Sequence, residues 1–260
     1  MLEIKEDNKL LKNLVWAYLL LLIFEGALRK WLLPGLASPL LLVRDPIALW
    51  VLFSVWNKNI LRPNAYMNAM LLLGTAGIIT SMIFGHGSLP VSLYGARPYL
   101  LHFPLIFAFG TLINRRDVEQ MGKVILYVTL FMTVLIGFQF YSPQSAWVNR
   151  GVGGDISGAG FSGALGYFRP SGTFSFTNGI TLFYGFASCF IFYFWLNPGI
   201  VGRKLLILST VALLAAIPLS ISRGLFFYVA VTMLFTVFTV SRNPRFLGKI
   251  LIAIFAAIIV

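Results

Sequence analysis

Charge is what this chain has least of. Only 11% of its 260 residues are Asp, Glu, Lys or Arg, against roughly a quarter in a soluble domain, so an ordinary water-facing surface is excluded. Acidic residues are the scarcer sign, 8 against 20 basic. The segments read below as outward-facing hold only Glu25, Asp45 and Asp155, and no pair among them suits a divalent-metal site or a two-carboxylate glycosidase. The 2 histidines, His86 and His102, are isolated from each other and from the single cysteine, Cys189. No His/Cys/carboxylate set has zinc spacing, no intramolecular disulfide is possible, and neither a metal nor a cofactor is expected. His102, set in an apolar helix, reads as an interhelical hydrogen-bonding group rather than a base. Repeats of fixed period are also missing.

What the chain has is apolar length. Hydrophobic residues make up 58% of it and aromatics 15%, and apolar runs near 18 to 20 residues recur, the mark of transmembrane helices. The expected fold is all-α: a polytopic transmembrane bundle with spans at 14–28, 46–56, 66–84, 99–113, 124–141, 180–196, 205–219 and 225–240. A ninth run starts at Ile250 and breaks off at Val260. A crossing helix takes about 20 residues, so residues 1–260 are expected to form one transmembrane domain that is the front part of a longer protein. The longest segment between spans is an outer loop at 142–179. No small-residue cleavage site follows the first run, which is crowded at its end by Glu25, Arg29 and Lys30, so it is not a cleavable signal peptide. Trp31, Tyr94, Tyr99, Tyr141, Trp147 and Tyr167 near span ends form an interfacial belt.

The net charge of +12 reflects topology before it reflects a partner, and nucleic acid is not expected. With a cytoplasmic N-terminus, 13 of the 20 Lys and Arg fall in cytoplasmic segments, the sign the positive-inside rule demands. The outer minority is Arg29, Lys30, Arg44, Arg97, Arg150, Arg169 and Arg223. Glu25 and Arg29 are four apart and can pair on one helix face. Arg44 can pair with Asp45 or with Glu25, and Arg44-Asp45-Pro46 reads as a helix start with proline in the first turn. Arg97, Arg169 and Arg223 have no carboxylate nearby in sequence.

Two of these arginines stand in distinctive surroundings. Arg169 lies in Y-F-R-P-S-G-T-F-S-F-T-N at 167–178, where Pro170 and Gly172 fix the backbone and Thr173, Ser175 and Thr177 offer hydroxyls at a helix start. Free N–H groups there attract phosphate oxygens, and the guanidinium fork suits phosphate better than an ammonium does; a solvated loop arginine is the alternative. Arg223 lies in P-L-S-I-S-R-G with almost no loop around it. An arginine at that depth either lines a cavity or snorkels to the head groups, and Pro218 and Gly224 loosen the helix ends beside it. Arg97-Pro98 opens a span in the same manner as Arg169-Pro170. The segment 151–166 is rich in Gly, Ser and Ala and reads as a mobile loop. Its G-V-G-G-D-I-S-G-A-G has the glycine content of a dinucleotide fingerprint, but no strand is expected before it and it faces outward. Asp155 within it is a poor general base.

Together, R-P-S-G-T-F-x-x-x-N before one span and S-x-S-R-G between two later ones resemble the O-antigen ligase and O-antigen polymerase superfamily. E-G-A-L-R-K-W-L-L-P from Glu25, with Arg44-Asp45-Pro46, resembles its exopolysaccharide-associated members. The resemblance implies a glycan transferase of the bacterial inner membrane, metal-independent and inverting, with its active face periplasmic. An undecaprenyl-diphosphate-linked glycan would be the donor, the bilayer its medium, and a glycan or lipid the acceptor. Arg169 and Arg223 would be the diphosphate ligands in catalysis, with Arg97, Gly172, Thr173, Asn178 and Ser222 binding substrate around them. The histidine base of the family would lie beyond Val260, and neither His86 nor His102 is assigned to that role. The rivals are a transporter or flippase for a lipid-linked or anionic substrate, for which P-L-S-I-S-R-G lacks an inverted-repeat partner; a polyprenyl-phosphate glycosyltransferase, for which Asp45 is the one acidic candidate; and a scaffold without chemistry, which leaves the outward arginines without a purpose.

Overall fold

The computed structural model describes residues 2–62, 64–164 and 166–241; the expected ninth run from Ile250 lies outside them. Among them, seven helices are long and apolar enough to cross a bilayer: Lys9–Leu32, Pro34–Asn57, Ala65–Phe84, Arg115–Tyr141, Thr177–Leu196, Arg203–Ser220 and Arg223–Val240. By the length and composition of its helices, this is a multi-pass membrane protein. The seven coincide with seven of the expected spans. The remaining one, at 99–113, lies in a helical stretch made of α5 (Leu89–Arg97), a π-helical turn (Pro98–His102) and α6 (Phe103–Leu112). It is not among the seven: Arg97, His102, Pro98 and Pro104 dilute its apolar content.

The chain forms two compact units, one from residues up to Leu22 with Ser38–Val118, the other from Ile23–Ala37 with residues from Glu119 onward. Two helices, α1 (Leu2–Ala27) and α7 (Arg115–Tyr141), pass from one to the other.

In the first unit, after the short α2 (Ala37–Leu40), α3 (Asp45–Asn57) starts at Arg44 with Pro46 in its first turn, as the Arg44-Asp45-Pro46 pattern predicts. Its inner face is Ala48, Val51 and Val55, all fully buried. The Asn64 side chain accepts from the Met67 N–H and so caps α4 (Ala65–Phe84). A methyl group on Gly74 of α4 would stand 2.7 Å from Leu100, so the small residue lets the π turn approach. Asn114 and Asp117 exchange side-chain and backbone hydrogen bonds of 2.9 and 3.0 Å at the start of α7, a reciprocal cap, and Lys12 pairs with Asp117 at 2.6 Å.

In the second unit α8 (Thr177–Leu196) packs with α9 (Arg203–Ser220) and α10 (Arg223–Ser241), and α7 is hydrogen-bonded to α8 and α9. Ile125, Met132 and Ile136 of α7 and Ala187 and Ile191 of α8 are fully buried. Tyr184, the largest buried side chain, shares a 2.7 Å hydrogen bond with Thr133, which satisfies its hydroxyl in an apolar setting. Between α7 and α8, the segment expected to be a mobile glycine-rich loop is internally bonded. Gly151 donates to the Asp155 carbonyl at 2.7 Å and Ala159 to the Asn149 carbonyl at 2.7 Å. The only strands among the described residues form a hairpin, with β1 (Phe161–Ser162) inside that segment and β2 (Phe168–Arg169) just after it.

Candidate functional site

Arg169 ends β2, paired across the hairpin with Phe161. It is exposed, and among the described residues its guanidinium has no hydrogen-bond or ion-pair partner. Tyr167, just before the same strand, stacks on Phe140 of α7 with ring centres 4.5 Å apart, which seats the hairpin on the helix. Arg223 is also exposed and equally without partner among the described residues. It opens α10 directly after the end of α9, where Ile221 takes a left-handed conformation (φ 47°, ψ 36°). A β-branched residue there is strained. Ser222 spans the break: its hydroxyl accepts from the Leu225 N–H at 3.2 Å, the geometry of an N-cap, and bonds Thr181 of α8 at 3.0 Å.

The two arginine motifs meet at Gly163. A Cβ on that residue would stand 2.9 Å from the tip of Ile221 and 3.4 Å from the Arg169 side chain. The hairpin that carries Arg169 therefore lies against the helix junction that carries Arg223. The segments that carry two exposed arginines are thus neighbours, and a guanidinium fork suits the oxygens of a phosphate or diphosphate.

Beyond Arg169 the loop turns inward. Pro170, Ser171, Gly172 and Thr173 are buried, and Gly172 sits at φ 58°, a left-handed position that glycine tolerates without steric cost. The Thr173 hydroxyl donates to the Ile23 carbonyl at 2.6 Å, and the Gly172 N–H donates to Gln139 at 2.7 Å. These two groups are thus engaged in holding the loop. Asn178 is exposed in the first turn of α8. Gln139 also donates to the Val148 carbonyl at 2.9 Å, and Asn149 donates to the carbonyls of Gln139, Ser142 and Pro143. One buried amide network therefore ties both ends of the loop to α7.

Lys30, expected among the outward cations, is 1% exposed. Its ammonium donates to Ser171 at 3.0 Å and to the carbonyls of Gly172 and Phe174 at 2.6 and 2.9 Å. Sequence reasoning missed Lys30 and Gln139 as parts of this arrangement. The signal for Lys30 was present: Glu25, Gly26, Arg29 and Lys30 repeat at helical spacing and share one face. For Gln139 there was none.

Arg97 belongs to the first unit and is paired. It stands 3.4 Å from Asp45 and its cation lies 4.9 Å above the Tyr94 ring. It also donates from Nε to Nε2 of His102 at 3.3 Å, and His102 Nδ1 meets the Tyr18 hydroxyl at 2.9 Å. A donor at Nε2 requires the lone pair there, so the His102 proton sits on Nδ1 and bonds Tyr18. The expectation of an interhelical hydrogen-bonding histidine holds. Asp155 accepts from the Ser157 hydroxyl and N–H at 2.7 and 2.9 Å. These bonds hold its carboxyl below the ordinary carboxylate range, which weakens it further as a base. No family model, curated protein or solved structure matches the chain.

Proposed function

We propose that the protein is a glycan transferase of the O-antigen ligase and polymerase type, in which Arg169 and Arg223 hold the diphosphate of an undecaprenyl-diphosphate-linked glycan. An acceptor hydroxyl attacks the anomeric carbon, the bond from that carbon to the diphosphate oxygen breaks, and the configuration inverts. The hydroxyl proton passes to a base, and the negative charge that grows on the departing diphosphate is met by the two guanidinium groups. Donors fixed where charge develops are among the largest contributors to catalysis. The observation that carries this reading is the meeting of the two motifs at Gly163, with both arginines exposed and unpaired among the described residues. Two exposed arginines without a carboxylate partner among the described residues keep their donors free for an anion from outside the chain.

In this reading the helical stretch 89–112 is the eighth crossing. It rises roughly 36 Å at 1.5 Å per residue, enough for a hydrocarbon core of about 30 Å. The N-terminus is then cytoplasmic and both arginines face the periplasm of a bacterial inner membrane, consistent with the excess of Lys and Arg in the opposite segments. The acceptor is a glycan or a lipid.

The test is transfer of glycan from its undecaprenyl diphosphate carrier in membranes containing the protein. Arg169→Ala and Arg223→Ala are each expected to lower the rate by about 10²–10³, as loss of one charge-stabilising donor does elsewhere, with membrane insertion unchanged. Arg→Lys at either position recovers little, because an ammonium lacks the fork. Normal transfer in both alanine variants overturns the assignment. Loss of carrier movement across the membrane, with transfer intact once the glycan is supplied on the outer face, would indicate a flippase instead.

A further inference from the structure

The segment Glu25–Trp31 has no part in the chemistry just described, yet much of it is engaged by the loop that follows Arg169. Gly26 lies against the backbone of Thr173, Phe174 and Ser175, with no room for a Cβ. Arg29, held by Glu25 at 3.5 Å, donates to Ser175 at 2.9 Å and to the Ala37 carbonyl at 2.7 Å. A π-helical turn at Leu28–Leu32 ends this helix, a local distortion often found where function demands an altered register. The Lys30 ammonium has three donors and faces three oxygens, on Ser171, Gly172 and Phe174, and it lies 4.6 Å from the Trp31 ring centre. Every donor of a buried cation is thereby satisfied, the condition for keeping a charge in an apolar place.

We infer that Lys30 is the positioning residue of the anion site: together with Gln139 it fixes Gly172, and so sets where Arg169 presents its guanidinium. The link between them is short and stiff. Pro170 has its φ locked by the ring, Ser171 accepts the Phe174 N–H at 3.0 Å, and the Gly172 carbonyl accepts from both Lys30 and Gln139, at 2.6 and 3.3 Å. A displacement at Gly172 passes to Arg169 with little backbone freedom to absorb it. A neutral side chain cannot replace three donors, and the planar arginine fork cannot point at three oxygens arranged around one nitrogen. The inference rests on Arg169 being an anion ligand, as proposed above.

The test is binding of undecaprenyl diphosphate to the whole protein in detergent micelles, measured on folded protein. The variants are Lys30→Met, Arg169→Ala and the double variant. Lys30→Met is expected to weaken binding at least tenfold, and the double variant to bind no more weakly than Arg169→Ala alone, since groups acting through one another are not additive. A protein merely loosened overall would show no such coupling. Wild-type binding in Lys30→Met, or additive losses, overturns the inference while leaving Arg169 as a ligand. Wild-type binding in Arg169→Ala instead defeats the functional reading itself. Should Lys30→Met fail to fold, Gln139→Leu releases Gly172 from its other side. It must show the same tenfold loss and the same lack of additivity with Arg169→Ala, and failure to do so counts against the inference equally.

Discussion

Arg97 and Arg169 each precede a proline, and in the chain they look like two copies of one device. In three dimensions they differ in what reaches them. Arg97 is met by Asp45 from the start of α3, by the Tyr94 ring and by His102. Arg169 stands at the end of a two-residue strand, and the carboxylate nearest it in the chain, Asp155, is occupied with Ser157. A charge withdrawn from water needs a counter-charge or a full set of hydrogen bonds, and Arg97 has the counter-charge. A charge left in reach of solvent needs neither, so it remains free for a ligand. What separates the paired arginine from the exposed one is therefore the partner delivered by another helix. In both regions a cation withdrawn from water lies in or beside a π-helical turn: Lys30 in Leu28–Leu32 and Arg97 just before Pro98–His102.

The comparison can be broken most sharply from the paired side. Arg97→Met takes the paired cation from a half-buried Asp45, and the loss should approach, without reaching, the roughly 3–5 kcal/mol of a fully buried pair. A thermal unfolding scan in detergent should show a large fall in the midpoint. Arg97→Met combined with Asp45→Asn should recover much of it, because no lone charge remains. An unchanged midpoint in the single variant would mean that Arg97 is as free as Arg169. A smaller effect is expected at the junction beside Arg223. Ser222→Ala removes the cap of α10 and should cost about 1 kcal/mol in the same scan, with binding of undecaprenyl diphosphate kept because the hydroxyl serves Leu225 and Thr181. A loss of binding without a loss of stability would place Ser222 on the ligand instead.

The apolar runs made most of the helices legible, since a stretch such as 66–84 has no other stable use. The start of α3 was legible from Arg44-Asp45-Pro46, and the Glu25–Arg29 pair from its spacing of four. Partners distant in sequence were not. Nothing local to Arg97 announces Asp45, and nothing in R-P-S-G-T says that the loop dives inward and engages Thr173 with the Ile23 carbonyl. The tertiary partners of that loop's hydroxyls and glycine, Ile23, Lys30 and Gln139, lie on helices elsewhere in the chain and leave no mark in the motif itself. The span expected at 99–113 lies in a helical stretch whose Arg97 and His102 meet Asp45, at the expense of its apolar content.

The most direct measurement is a titration of the purified protein in detergent with undecaprenyl diphosphate, run side by side on three forms: wild type, Arg169→Ala with Arg223→Ala, and Arg97→Met with Asp45→Asn. The account predicts that binding is lost in the first pair and retained in the second. Equal affinity in all three forms, or loss confined to the Arg97 and Asp45 pair, would contradict it.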